Sequence, residues 1–221
     1  MRIGPVYTCS AWFGGKRLAD PNIGLGWRMR RASSGAGALC DFGSHLIDLT
    51  DYVAGQRYRE VSCMADTFIP MRRLDQQMAP VENDDAAAFL ARGDHSIGNF
   101  CVSRTGMDDA MLLVTGVGGM VQLSLRGSEQ VTYLEKHPDG GYTGKVTQYN
   151  PTAQSPTEGR FDRQTQAFLD AIEGKAADVA DIAQGAYVEE VLYAAQRASV
   201  TGNTAVSYTH LRAHETSLIS Y

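Results

Sequence analysis

A chain of 221 residues, 43% hydrophobic and 20% charged, has the length for one domain of ordinary size and a composition that suits a soluble globular protein with a sizeable core. Its formal net charge of −5 leaves no chain-wide basic field for nucleic acid or an anionic membrane surface. No apolar run approaches the roughly 20 residues of a bilayer-spanning helix, and "MRIGPVYTCSAWF" lacks the basic, apolar and small-residue regions of a secretory signal.

"RIGPVYTCSAWF" is rich in β-branched and aromatic residues and reads as a strand. A Gly/Pro/Asn loop follows, then the basic stretch "GWRMRRASSGAG", then a helix over Ala38 to Ala54 closed by Gly55. Beyond it the period turns from helical to alternating. In "EVSCMADTFI", Val61, Cys63, Ala65, Thr67 and Ile69 share one face. "DDAAAFLAR", "SIGNFCVSR", "AMLLVTG", "MVQLSLRG" and "EQVTYLEK" continue as strands, with "TGVGGM" a hairpin turn between two of them. His137 to Arg160, rich in Gly, Pro, Thr and Gln, reads as a long loop. Two helices finish the pattern. "FDRQTQAFLDAIEG" carries Phe161, Phe168 and Ile172 in a stripe; "DIAQGAYVEEVLYAAQRASVTG" carries Ile182, Val188, Val191, Leu192 and Ala195.

A helix, a run of short strands and closing helices predict an α+β fold: one open, mainly antiparallel sheet with helices on one face. The other face is too apolar for full exposure, which predicts a homo-oligomer formed across the sheet. Cys9, Cys40, Cys63 and Cys101 are widely spaced, without a CxxC pair. They read as free thiols, those of Cys9, Cys63 and Cys101 buried in strands, and place the chain in a reducing cytoplasm. The end, "VSYTHLRAHETSLISY", breaks with the preceding pattern. It resembles translated adapter sequence, so residues 1–205 form the expected domain and 206–221 a non-native tail. The i, i+4 pair His210 and His214 in that tail is the spacing of two metal ligands, a reading set aside with the tail.

The helix at Ala38 to Ala54 is the informative element. Leu39, Phe42, Leu46, Leu49 and Val53 form the expected core stripe, and Gly43 falls on a third side, where it permits close approach. Asp41, His45, Asp48 and Tyr52 form a second stripe beside the core one, where a cleft wall would run. Three readings fit the pattern. Asp41 caps the helix, His45 is a satisfied half-buried histidine and Asp48 is solvated. Alternatively Asp41, His45 and Asp48 ligate a metal, as in a metal-dependent hydrolase. In the third, Asp41 orients His45 for proton transfer to or from a substrate hydroxyl, the helix terminus opposing the imidazolium and the carboxylate favouring it.

"GWRMRRASSGAGALCDFGSHLIDLTDYVAG" resembles the start of the substrate domain in the glucose–fructose oxidoreductase/inositol dehydrogenase/MocA family of NAD(P)-dependent dehydrogenases. Gly37, Ala38, Leu39, Asp41, Gly43, His45 and Asp48 stand in that family's pattern. The strand series and the closing helices resemble the remainder, over about residues 1 to 205. The resemblance implies a dihydrodipicolinate-reductase-like C-terminal domain acting on a sugar, polyol or related CH–OH substrate. It implies His45 as the proton-transfer residue and Asp41 as its orienting and polarising partner. The family's Glu-Lys-Pro motif does not occur here. "GAGALC" has cysteine in place of the third glycine of a dinucleotide fingerprint, and a basic loop instead of a strand before it. The implied NAD or NADP would therefore be held by an N-terminal Rossmann domain outside this chain, and the chain alone is expected neither to bind it tightly nor to catalyse. Arg28, Arg30 and Arg31 are candidates for a substrate carboxylate or a cofactor phosphate, Trp27 for a cleft wall, and Asn99 and Arg104 for polyol contacts. No metal, nucleic-acid or membrane partner is expected. The rival from another class is a free-standing binding or oligomerisation module without the chemistry.

Overall fold

The computed structural model describes residues 3–106, 108–126, 130–137, 139–149, 159–177 and 179–207. Eleven strands and four helices run in the order β1 (Val6–Gly14), α1 (Arg31–Ser34), α2 (Ala38–Ala54), β2 (Tyr58–Asp66), β3 (Met71–Leu74), β4 (Gln77–Pro80), β5 (Ala86–Gly93), β6 (Ile97–Ser103), β7 (Ala110–Gly116), β8 (Gly119–Ser124), β9 (Val131–Lys136), β10 (Tyr142–Tyr149), α3 (Arg160–Ile172), α4 (Ile182–Thr201) and β11 (Ala205–Val206). Nine strands form one sheet in the order β10-β9-β8-β7-β1-β6-β5-β2-β11, and β3 and β4 form a separate hairpin. The α+β class and the mainly antiparallel sheet are as the alternation predicts. One pair departs from it: β1 runs parallel to β6, with Cys9 opposite Gly98 and Ala11 opposite Phe100.

α2 and α4 lie together on one face of the sheet. Cys9 and Ala11 of β1, Phe89 of β5, Phe100 and Val102 of β6, and Leu112 and Val114 of β7 point at them and are buried. The intervening residues face the other way. Ser10 stands opposite Asn99 and Leu113, Leu90 opposite Asn99 and Ser62, and Met64 opposite Ala88. On that bare face Met64 is 81% exposed and Leu90 54%. Cys101 is exposed there too, so the expectation of a buried thiol fails for it, because its register puts it on the uncovered side.

α2 occupies the residues its pattern predicts and ends at Gly55, which adopts a left-handed conformation (φ 62°). Its buried stripe is turned from the expected one. Leu39 and Leu46 are core, but Gly43, Ile47, Thr50 and Ala54 complete the stripe, and Phe42, Leu49 and Val53 pack along its edge. The cause is the second neighbour. α2 packs against both the sheet and α4 beside it, and Leu192 of α4 and Phe89 of β5 border the space beside Gly43 that a side chain would need.

Other expectations are corrected. The expected loop after His137 contains β10, an edge strand paired with β9 through Val146–Leu134 and Tyr149–Val131. Backbone pairing to an existing edge does not require apolar alternation. Val206 and Ser207 belong to the sheet rather than to a tail: Val206 pairs with Glu60, and the Ser207 N–H donates to the Arg59 carbonyl. Residues 208–221, including His210 and His214, lie outside the described residues. The apolar stripe of α3 is exposed, Phe161 by 75% and Ile172 by 66%, and Ile182 at the start of α4 by 91%. No helix among the described residues is long and apolar enough to cross a membrane.

Candidate active site

Capping of α2 decides what Asp41 is free to do. Its N-cap, Gly37, has no side chain, and the exposed N–H groups are met from across the molecule. The Ala38 N–H donates to the Asp84 carbonyl at 3.0 Å, and the Leu39 N–H donates to the Asp84 carboxylate at 2.7 Å. The Asp41 N–H is taken by the Gly37 carbonyl. A Cβ at Gly37 would overlap the Asp84 carbonyl and carboxylate, so the position demands glycine. Burial raises the Asp84 carboxyl above its ordinary value, against the lowering by the Leu39 N–H and the Arg104 guanidinium. The cap expected from Asp41 is thus supplied by Asp84, and the Asp41 carboxylate is exposed, with no ion-pair partner among the described residues.

Asp41 and Phe42 line a cleft of about 430 Å³ together with Gly15, Lys16, Arg17, Leu18, Arg28, Arg104, Asp108 and Arg126. His45, one turn beyond Asp41, is exposed and does not itself line the cleft. Phe13 of β1 joins the two: it stacks on Phe42 at 4.6 Å between centroids and meets His45 at 5.7 Å, with the Arg126 guanidinium 4.9 Å from its ring. Asp48 does not join them. It accepts a hydrogen bond from Gln184 of α4 (2.9 Å) and lines a different depression with Asp51, Tyr52 and Arg57. No three His, Cys, Asp or Glu side chains converge on a possible metal position among the described residues.

The segment Glu82–Asp85, whose two aspartates read from the sequence only as the start of a strand, builds the site. The Glu82 carboxylate accepts the Arg31 N–H (2.7 Å). The Asn83 amide donates to the Arg28 carbonyl (3.1 Å), Asp84 caps α2, and Asp85 pairs with Arg104 (3.4 Å). Arg104 is buried rather than directed at a ligand. It also donates to the Asn83 and Arg28 carbonyls, both at 3.1 Å. The Arg28 carbonyl accepts a third bond, from Ser34 (3.1 Å), so its backbone is held while its guanidinium stacks on the Trp27 ring (4.3 Å) at the cleft. Trp27 lies outside the cleft lining and is 53% exposed. Arg30 is exposed, its carbonyl accepting the Ser33 and Ser34 N–H groups. Asn99 is on the bare sheet face, in a separate depression with Met64 and Leu90, away from Asp41.

Two features argue against a phosphate at the start of α2. A short helix, not a strand, precedes the glycines, and the Asp84 carbonyl and carboxylate already accept the Ala38 and Leu39 N–H groups that a pyrophosphate would need.

Comparison with known proteins gives this geometry a family. The profile of the GFO/IDH/MocA C-terminal domain matches residues 1–122. The levoglucosan dehydrogenase of Pseudarthrobacter phenanthrenivorans is 32% identical over 103 residues, which are 47% of this chain and 24% of that protein. An oxidoreductase domain protein from Kribbella flavida superposes with a TM-score of 0.79 at 25% identity, over 93% of this chain and 59% of that one. A levoglucosan dehydrogenase in complex with NADH and L-sorbose shares the fold with a TM-score of 0.81 at 20% identity, again over 93% of this chain and 59% of that one. The chain spans less than two thirds of the length of each of these relatives. It belongs to the GFO/IDH/MocA family of oxidoreductases and carries the fold of that family's C-terminal domain.

Proposed function

We propose that this chain is the substrate-binding catalytic domain of an NAD(P)-dependent dehydrogenase acting on a sugar, polyol or related CH–OH substrate. The observation that carries the reading is Asp41: a carboxylate released from capping by Asp84, facing a cleft, with His45 exposed one turn further along α2. In this reading a substrate hydroxyl lies between the two. His45 takes the proton from that hydroxyl, or returns it in the reverse direction, and Asp41 orients the hydroxyl. Arg104, through its bonds to the Arg28 carbonyl and to Asp85, positions the cleft wall without touching substrate. When bound, the nicotinamide supplies the hydride acceptor or donor. Asp84 already accepts the Ala38 and Leu39 N–H groups at the start of α2, so in this reading the cofactor phosphates are held by the part of the protein that the longer relatives possess beyond this chain. The relatives' names support a sugar as substrate class and NADH as cofactor.

The same proposal assigns the bare sheet face, with Met64, Leu90, Ile97 and Cys101, to contact between copies.

The test uses the reading frame extended upstream from the source DNA. With a dinucleotide-binding domain restored, His45→Ala should lower kcat on a sugar or polyol by about 100-fold or more, and Asp41→Asn by a smaller factor. Unchanged turnover in His45→Ala would sink the catalytic assignment and leave the non-catalytic module.

A further inference from the structure

The cleft has the opposite charge to the chain. Overall the protein carries a formal charge of −5. Yet Lys16, Arg17, Arg28, Arg104 and Arg126 line this one cavity against only Asp41 and Asp108. Two of the five cations are committed: Arg104 to buried Asp85, and Arg126 to Asp108. Lys16, Arg17 and Arg28 remain, exposed at the cleft and without a carboxylate partner among the described residues.

The loop carrying Lys16 and Arg17 is fixed at both ends. The Gly15 N–H donates to the Ser103 carbonyl (2.8 Å) and the Leu18 N–H to the Arg104 carbonyl (3.1 Å). Behind it, the Arg72 guanidinium is fully buried and donates to the Leu18, Asp20 and Ile23 carbonyls. Burying a guanidinium without a carboxylate is costly, and here the three carbonyl bonds that offset the cost also tie the loop down. On the facing wall, the three bonds to the Arg28 carbonyl hold that residue's backbone.

Resting on the dehydrogenase reading of this cleft, we propose that its ligand is an anionic sugar or polyol, bearing a carboxylate or a phosphate monoester that Lys16, Arg17 and Arg28 hold. Guanidinium forks and an ammonium group suit either oxyanion. Three unneutralised cations beside one free carboxylate give a neutral sugar nothing that would compensate their mutual repulsion. The carbinol end of the ligand then lies toward Asp41 and His45, and its anionic end toward the Lys16–Leu18 loop.

The experiment is calorimetric titration of the 221-residue chain with D-glucose, D-glucuronate, D-glucose 6-phosphate, inorganic phosphate and ADP-ribose, at low and high salt. D-Glucuronate or D-glucose 6-phosphate should bind at least about tenfold more tightly than D-glucose, with the advantage shrinking as salt rises. The two anions decide between carboxylate and phosphate. Lys16→Gln combined with Arg17→Gln should remove the advantage, as should Arg28→Gln, whereas Asp41→Asn should keep or increase it. Equal affinity for D-glucose, no binding of either sugar anion, or an advantage that survives the double substitution overturns the proposal. So does binding of ADP-ribose or inorganic phosphate alone, which would assign the cations to cofactor phosphate or to a simple anion. None of these readings needs turnover. An active His45→Ala enzyme would therefore remove the catalytic reading while leaving this result standing, and a lost anion preference would leave the chemistry of His45 intact.

Discussion

At the residue scale, Asp84 has the widest influence. It sits 45 positions from the helix whose start it completes, and no local pattern announces it. Asp84→Ala should cost about 1–2 kcal/mol by leaving the Leu39 N–H without its acceptor. Asp84→Asn keeps an oxygen there and should cost less. The pH dependence follows from burial. With its folded value raised above the ordinary 3.8, the carboxyl adds stability in full below about that pH and loses it as pH rises through the folded value. In urea titrations at matched pH, Asp84→Asn should therefore gain on the parent between acid and neutral conditions. A gap moving the other way would mean that the cap favours the charge more than burial opposes it. The cysteines give a second check at this scale. Burial pushes the thiols of Cys9 up to about 11 and of Cys40 and Cys63 up to about 12, so all three stay protonated near neutrality. Alkylation of the native monomer should label Cys101 first.

Among the elements, α2 shows how far a pattern reaches. Its limits, its left-handed stop at Gly55 and the exposure of Asp41 and His45 all follow from a 3.6-residue period and one glycine. The exact arc it buries does not, because that depends on α4, which arrives more than 120 residues later in the chain and presses Leu192 against Gly43. Gly43→Leu should lower stability by about 1–3 kcal/mol through overpacking, read as a fall in the urea midpoint. Gly43→Ala, whose methyl meets only a flexible leucine tip at 3.2 Å, should cost less. The seven alternating strands were legible for the same local reason as α2. The β3–β4 hairpin, β10 and β11 were not, since short or weakly alternating segments become strands only when a neighbour offers an edge. The candidate site divides along the same line. Asp41 and His45 share a helix and could be paired from spacing. Lys16 and Arg17, on one loop, and Arg126, more than 100 residues on, come to the cleft through tertiary packing alone. Asn99 was misplaced by the side of its strand it happens to occupy.

For the whole molecule, the two faces of the sheet have different fates. One is covered by α2 and α4; the other presents Met64, Leu90 and Ile97 to solvent. If copies pair there, light scattering should show an oligomer. Leu90→Arg, placing a charge at the middle of the face, should shift it to monomer and leave the circular dichroism unchanged. Protection of Cys101 from alkylation should be lost in the same variant. A parent chain that is monomeric at all concentrations would refute that use of the face.

The position of β1 carries a consequence for how the chain assembles. β1 lies in the interior of the sheet, hydrogen-bonded to β6 on one side and β7 on the other. Its β6 edge stays open until about residue 103 has emerged during synthesis, and its β7 edge until about residue 116. Contacts of such long sequence separation slow folding and prolong exposure of an aggregation-prone edge. The same strand joins the two halves of the finished sheet, so loss of Val6–Gly14 would leave β10-β9-β8-β7 and β6-β5-β2-β11 with no strand pairing between them.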